Sequence, residues 1–148
     1  MRRFVTAALG FGLAACSAVL GSDIGVVVAL ATSTATIPQQ GTLTITVTAT
    51  NESDEPLVWG QGSSSCQLGA VVRDGGEEHP IGDRVCTADY GPQGLGPGAS
   101  RTEQWEWDGT YRSGAATVIL PPGSYAIRGT AGDVHSPALT VTVTATGN

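Results

Sequence analysis

The sequence predicts an all-β protein, an antiparallel β-sandwich of about eight strands, and three observations carry that prediction. The first is strict alternation in two runs. Leu43 to Thr50 reads LTITVTAT and Leu139 to Thr146 reads LTVTVTAT. Residues two apart on a strand share a face, so Leu43, Ile45, Val47 and Ala49 turn inward while the Thr hydroxyls turn out. The second is punctuation: Gly, Pro, Asn and Asp clusters recur roughly every ten residues, the spacing of short sandwich strands. The third is composition. Gly is abundant at 21 residues, Thr is frequent and Lys is absent, a mixture that suits pleated sheets and turns and breaks helices. A closed barrel is the alternative architecture, which periodicity does not separate from a sandwich.

At 148 residues the chain is long enough for one domain with a core of its own. Residues 1–15 read as a lipoprotein signal peptide, 16–22 as a lipidated N-terminus and short tether, and 23–148 as the β-sandwich domain. Arg2 and Arg3 form a basic region, followed by an apolar run from Phe4 to Ala14. As a helix that run spans about 16 Å, half of a hydrocarbon core about 30 Å thick, so a signal peptide fits better than a membrane span. Leu13-Ala14-Ala15-Cys16 resembles a bacterial lipobox, which implies lipidation of Cys16 and attachment to a membrane through acyl chains. The expected location is the cell envelope, at the outer membrane or facing the periplasm if the host is Gram-negative. The net charge of −6, more negative still once Arg2 and Arg3 are removed, argues against nucleic acid as a partner, because no basic row exists to neutralise phosphates.

Strands are expected at Gly25 to Ala31, Leu43 to Thr50, Leu57 to Trp59, Cys66 to Asp74, Glu77 to Gly82, Arg101 to Trp107, Ala116 to Leu120, Ser124 to Gly129 and Ala138 to Thr146. Gly75-Gly76 reads as a hairpin turn. Ile37 to Gly41 reads as a turn, Thr87 to Ser100 as a loop, and Asp108 to Ala116 as a second loop. Pro122-Gly123 suits the two central positions of a type II turn, with Gly accepting φ > 0. Trp105 and Trp107 share one strand face, so both are expected in the core. Asn51-Glu52-Ser53 matches the N-glycosylation acceptor pattern, read as accidental in an exported bacterial chain.

With Cys16 assigned to lipid, Cys66 and Cys86 remain as a pair in an oxidising compartment, and a disulfide is the natural reading. It closes a loop worth about 3 kcal/mol by chain entropy. His79 and His135 would complete a Cys2His2 set by count, but no metal-ligand spacing accompanies them, so no metal and no cofactor is expected. Neither His lies in a catalytic motif. Glu103, Glu106 and Asp108 fall close together like an acid pair or calcium ligands, but Gln104, Glu106 and Asp108 alternate with Trp105 and Trp107, so the group reads as the outer face of that strand. The chain is therefore read as non-enzymatic.

The succession NESDEP, VRDGGEEH, LGPGASRTEQWEWDG and LPPGSYAIRGTAG resembles the BsuPI-type intracellular proteinase inhibitor domain. A Pro-Gly turn leads into a strand ending in Trp, and a second Pro-Gly-x-Tyr corner leads into a strand ending in Gly. The likeness covers about Leu43 to Gly132 and implies an immunoglobulin-like sandwich. The functional expectation is a lipid-anchored module that binds a protease or another envelope protein. Asp108, Tyr111 and Arg112 form the candidate partner-binding loop. Proteinase inhibition through an exposed loop is the alternative, with Arg112 or Tyr111 as specificity residue in the first loop or Leu95 in Thr87 to Ser100. A carbohydrate-binding module using exposed Trp is the second alternative.

Overall fold

The computed structural model describes residues 25–82 and 84–146. Strands follow one another along the chain as β1 (Val26–Thr32), β2 (Thr36–Pro38), β3 (Leu43–Asn51), β4 (Leu57–Gly62), β5 (Gly69–Asp74) and β6 (Glu77–Pro80). They continue as β7 (Gly91–Leu95), β8 (Ser100–Trp107), β9 (Thr110–Ser113), β10 (Ala116–Ile119), β11 (Gly123–Ala131), β12 (Val134–His135) and β13 (Leu139–Thr144). Two sheets carry the fold. One has the order β1-β3-β8 and the other β2-β13-β11-β5-β6, with β12 beside β11. Two smaller pairs, β4-β7 and β9-β10, complete the set among the described residues.

The alternation of the sequence becomes the core. In β3, Leu43, Ile45, Val47 and Ala49 are buried while the Thr between them are not. Tyr125, Ile127 and Ala131 of β11 and Val141 and Val143 of β13 face them from the second sheet. The layers approach closely at Gly129, where a Cβ would lie 3.0 Å from Val47 Cγ1 and 3.4 Å from Val28 Cγ1. Neighbours in space are distant in sequence: β3 pairs with β8 and β11 with β5, both antiparallel. These are the crossovers of an immunoglobulin-like sandwich. Tyr125 adds the tyrosine corner of that fold, its hydroxyl donating to the Pro121 carbonyl at 2.7 Å.

Several local expectations are revised by pairing partners that lie far along the chain. Ile37 belongs to β2, which runs parallel to β13 through Thr142↔Thr36, Val143↔Ile37 and Thr144↔Pro38. The turn follows it, with Gln40 at φ 66° and the Gly41 N–H on the Pro38 carbonyl at 2.8 Å. Thr87 to Ser100 contains β7, which pairs with β4 across a bulge between Val58 and Gly60. Asp108 to Ala116 is built mostly of strand and hairpin, because β9 pairs with β10. The strand expected from Cys66 starts only at Gly69.

The Pro122-Gly123 turn also differs. Gly123 is absent from the residues with positive φ and opens β11, where it pairs with Val143. The left-handed glycine sits instead at Gly98 (φ 64°), after Pro97, with the Ala99 N–H on the Gly96 carbonyl at 3.2 Å. That geometry is what a type II turn requires. Gly75 and Gly76, at φ 58° and 92°, close the β5–β6 hairpin as anticipated.

Candidate functional site

Adjacent residues on a strand point to opposite faces, and this separates the residues of the candidate partner-binding loop. Asp108 caps its own turn, its Oδ1 accepting from the Thr110 N–H at 3.2 Å and the Thr110 hydroxyl at 2.6 Å. Tyr111 turns inward and is 7 % exposed. Its ring stacks on His79 at a centroid distance of 4.3 Å, and its hydroxyl donates to Asp74 Oδ2 at 2.9 Å. That hydrogen bond, helped by desolvation and the Asp74 charge, pushes the phenol above its ordinary pKa. Arg112 turns outward, its Nη1 3.5 Å from Thr117 Oγ1. The three side chains therefore form no common surface, and Tyr111 is a packing residue rather than a loop-tip contact. Leu95 is half-buried against the core.

Cys66 and Cys86 are joined by a disulfide, with Cα atoms 5.7 Å apart. Cys16 lies outside the described residues. His79 is half-buried against Tyr111, whereas His135 is exposed, its Nδ1 3.7 Å from Glu78 Oε2. Among the described residues no group of three His, Cys, Asp or Glu is placed to hold a metal ion. Asn51 is fully buried, its amide donating to the carbonyls of Glu55, Leu95 and Gly96. The sequon is thus spent on internal hydrogen bonds.

Trp107 is in the core at 1 % exposure, its indole N–H donating to the Thr110 carbonyl at 2.7 Å. Trp105 is only half-buried, at the margin of the core. The Arg84 guanidinium covers its ring at 4.2 Å from the centroid. The pair offers no open aromatic platform.

A buried carboxylate between two segments was not anticipated. Glu103, on the inward face of β8, is 9 % exposed. Its Oε2 lies 2.5 Å from Arg84 Nη2 and its Oε1 lies 2.7 Å from Arg101 Nε. The backbone N–H groups of Gln67 and Leu68 complete its shell at 3.0 and 3.3 Å. Burial alone would raise the Glu103 pKa, but the hydrogen bonds from Arg84, Arg101 and Gln67 outweigh it and hold it below the ordinary value. Arg84 also donates to the Leu68 carbonyl, and Arg101 to the Ser64 carbonyl. The sequence signal was parity: Glu103 has the register of Trp105 and Trp107 and so turns inward with them.

This carboxylate and the disulfide brace two facing segments, Ser63 to Leu68 and Arg84 to Asp89. Asp89 accepts from the Thr87 hydroxyl and from the Ser64 N–H at 3.1 Å, and these bonds lower its pKa. The Thr87 N–H donates to Ser65 Oγ at 2.9 Å. On this frame Val85 is 101 % exposed and Tyr90 77 %. Both neighbours of Val85 are anchored, Arg84 by Glu103 and Cys86 by Cys66.

No family model and no curated protein matches this chain. Among solved structures, similarity extends to the alkylpurine DNA glycosylase AlkC of Pseudomonas fluorescens bound to DNA containing an abasic site analog. That match has 12 % identity and a TM-score of 0.53, and covers 81 % of this chain and 30 % of that one. A β-glucosidase of Erythrobacter marinus matches at 20 % identity and a TM-score of 0.49, covering 80 % and 15 %. One from Listeria innocua matches at 15 % and 0.48, covering 80 % and 16 %. This chain thus spans less than a third of each of these larger proteins. At such identity the AlkC match speaks to the fold alone, an all-β sandwich.

Proposed function

We propose that this chain is an exported, lipid-anchored, non-enzymatic module that binds another protein of the cell envelope, through the braced segment Arg84 to Tyr90. The observation that carries the reading is Val85, an apolar side chain wholly in water on a segment tied down on both sides. Ordering a loop on binding costs free energy, and a loop held by a disulfide and a buried ion pair has met much of that cost beforehand. Anchoring is read from residues 1–16, and a disulfide suits the oxidising compartment that such a leader addresses. The net charge of −6 speaks against nucleic acid.

The test is retention of envelope proteins by the purified chain and by its Val85→Asp variant. A specific partner should be held at least about tenfold less tightly by the variant, the factor equivalent to about 1.4 kcal/mol. Equal retention by both would overturn the assignment of the surface.

Proteinase inhibition is the second reading, supported by the same stiff, projecting segment and by the likeness to BsuPI-type domains. It shifts the specificity position from Arg112, Tyr111 or Leu95 to Val85. Titration against subtilisin-type and trypsin-type proteases decides it: no inhibition at micromolar concentrations dismisses it.

A further inference from the structure

The disulfide lies at the surface, and its two sulfurs are not equally placed. Cys86 is exposed, as are its neighbours Val85, Thr87 and Ala88, whereas Cys66 is half-buried and precedes half-buried Gln67 and buried Leu68. A thiolate displaces one disulfide sulfur from the side opposite the other, so access decides which is attacked and which leaves. Access favours Cys86 as the attacked sulfur and Cys66 as the leaving one. The polar contacts agree. The Ser65 hydroxyl lies 3.9 Å from Cys66 Sγ, where it can donate to a departing thiolate. Cys86 Sγ lies instead 3.7 Å from the Arg84 carbonyl oxygen, an acceptor that disfavours negative charge on that sulfur.

The two segments that the disulfide joins are also tied together without it. On one side, the Glu103 carboxylate takes the N–H groups of Gln67 and Leu68 together with the Arg84 guanidinium. On the other, the Thr87 N–H bonds Ser65 Oγ and the Ser64 N–H bonds Asp89 Oδ2. After reduction the two thiols therefore stay on facing segments, between a buried carboxylate and a set of exposed hydrogen bonds. Groups kept this close react as an intramolecular pair, at an effective concentration far above that of free thiols. Selectivity follows. A monothiol captured by Cys86 is expelled again by Cys66, whereas a dithiol brings its own second thiol and carries the reduction through.

We propose that Cys66–Cys86 is a reversible thiol–disulfide exchange site, opened in the folded chain by a dithiol that attacks Cys86. One thiolate of the dithiol forms a bond to Cys86 Sγ as the Cys66–Cys86 bond breaks. The electron pair leaves on Cys66, which takes up a proton. The second thiol, deprotonated in turn, attacks the first dithiol sulfur, closes the dithiol's own disulfide and releases Cys86, which is protonated. The protein disulfide thus gains two electrons and two protons, and the dithiol loses the same. A disulfide of the opposite poise reverses the sequence. The exchange needs only access to Cys86, so it does not rest on the binding role given to Val85.

The test treats the full chain, without denaturant, with dithiothreitol and follows both cysteines by iodoacetamide alkylation and peptide mapping. The expected result is reduction at a rate proportional to the dithiol and constant within about twofold in urea well below the unfolding transition. The β-sheet signal in circular dichroism should hold throughout. A brief exposure to 2-mercaptoethanol, quenched with iodoacetamide, should leave the mixed disulfide on Cys86 and the alkyl group on Cys66, at least about tenfold over the reverse. Replacing the reductant with glutathione disulfide should re-form the bond within one chain. Reduction that climbs with urea in step with unfolding overturns the proposal, because Cys86 is then reached only in the unfolded chain. So does a mixed disulfide on Cys66 or divided evenly between the two, and so does reoxidation that joins two chains.

Discussion

Glu103 occupies a position where a carboxylate is costly unless fully hydrogen-bonded, and its four donors come from three separate segments. Because its folded-state pKa lies below the ordinary value, its contribution to stability is complete above the usual glutamate range. It is lost as pH falls through the folded-state value. Glu103→Gln should therefore cost about 2 kcal/mol at neutral pH, less than the 3–5 kcal/mol of a fully buried pair, since both arginines reach solvent. Urea denaturation at several pH values checks the sign. The gap between wild type and variant should narrow on acidification below the ordinary carboxylate range, and a gap constant with pH would assign the loss to packing.

At the scale of elements, the β4–β7 pair depends on one missing side chain. A Cβ at Gly94 would lie 2.1 Å from the Leu57 carbonyl oxygen and 2.9 Å from Val58 Cα, both backbone atoms that cannot rotate away. Gly94→Ala should push the strands apart, destabilise by about 2 kcal/mol or more, and raise amide exchange in Leu57–Gly62 ahead of the main sheets. A Cβ at Gly91, on the same strand, would meet nothing within 4 Å, so Gly91→Ala is the matched control and should be near neutral. The same local reading explains why β7 escaped detection. GPQGL has no apolar alternation and two glycines, and its strand character comes from β4 and from Gln93, which donates to the Ser63 and Cys66 carbonyls.

For the whole molecule, the disulfide ties the connection between β4 and β5 to the connection between β6 and β7. Replacing both Cys66 and Cys86 with Ser should cost about 3 kcal/mol by loop entropy, while the β-sheet signal in circular dichroism persists below the lowered melting point. Alkylation of these two thiols in the native chain should require reductant. If the proposed binding surface is right, the double variant should also lose affinity beyond its loss of stability, because Val85 is then held by Arg84 alone.

The sequence by itself determined the all-β class, the inward faces of β3, β11 and β13, the Gly75-Gly76 hairpin and the pairing of Cys66 with Cys86. The first three follow from information within a few residues, period-two alternation or a turn that needs φ > 0, and the last from the two cysteines that remain once Cys16 is read as lipidated. Only the tertiary structure decided the rest. β2 became a strand because β13 offered it a parallel partner more than a hundred residues away. Pro122-Gly123 yielded its turn because Val143 claimed Gly123 for the ladder. Tyr111 and Arg112, adjacent in sequence and read together as a contact, were parted by the pleat of β9. Val85 carried no signal of its own. Its exposure results from Glu103 and Cys66 anchoring the residues on either side, and such long-range bonds are set by the packing of the whole chain.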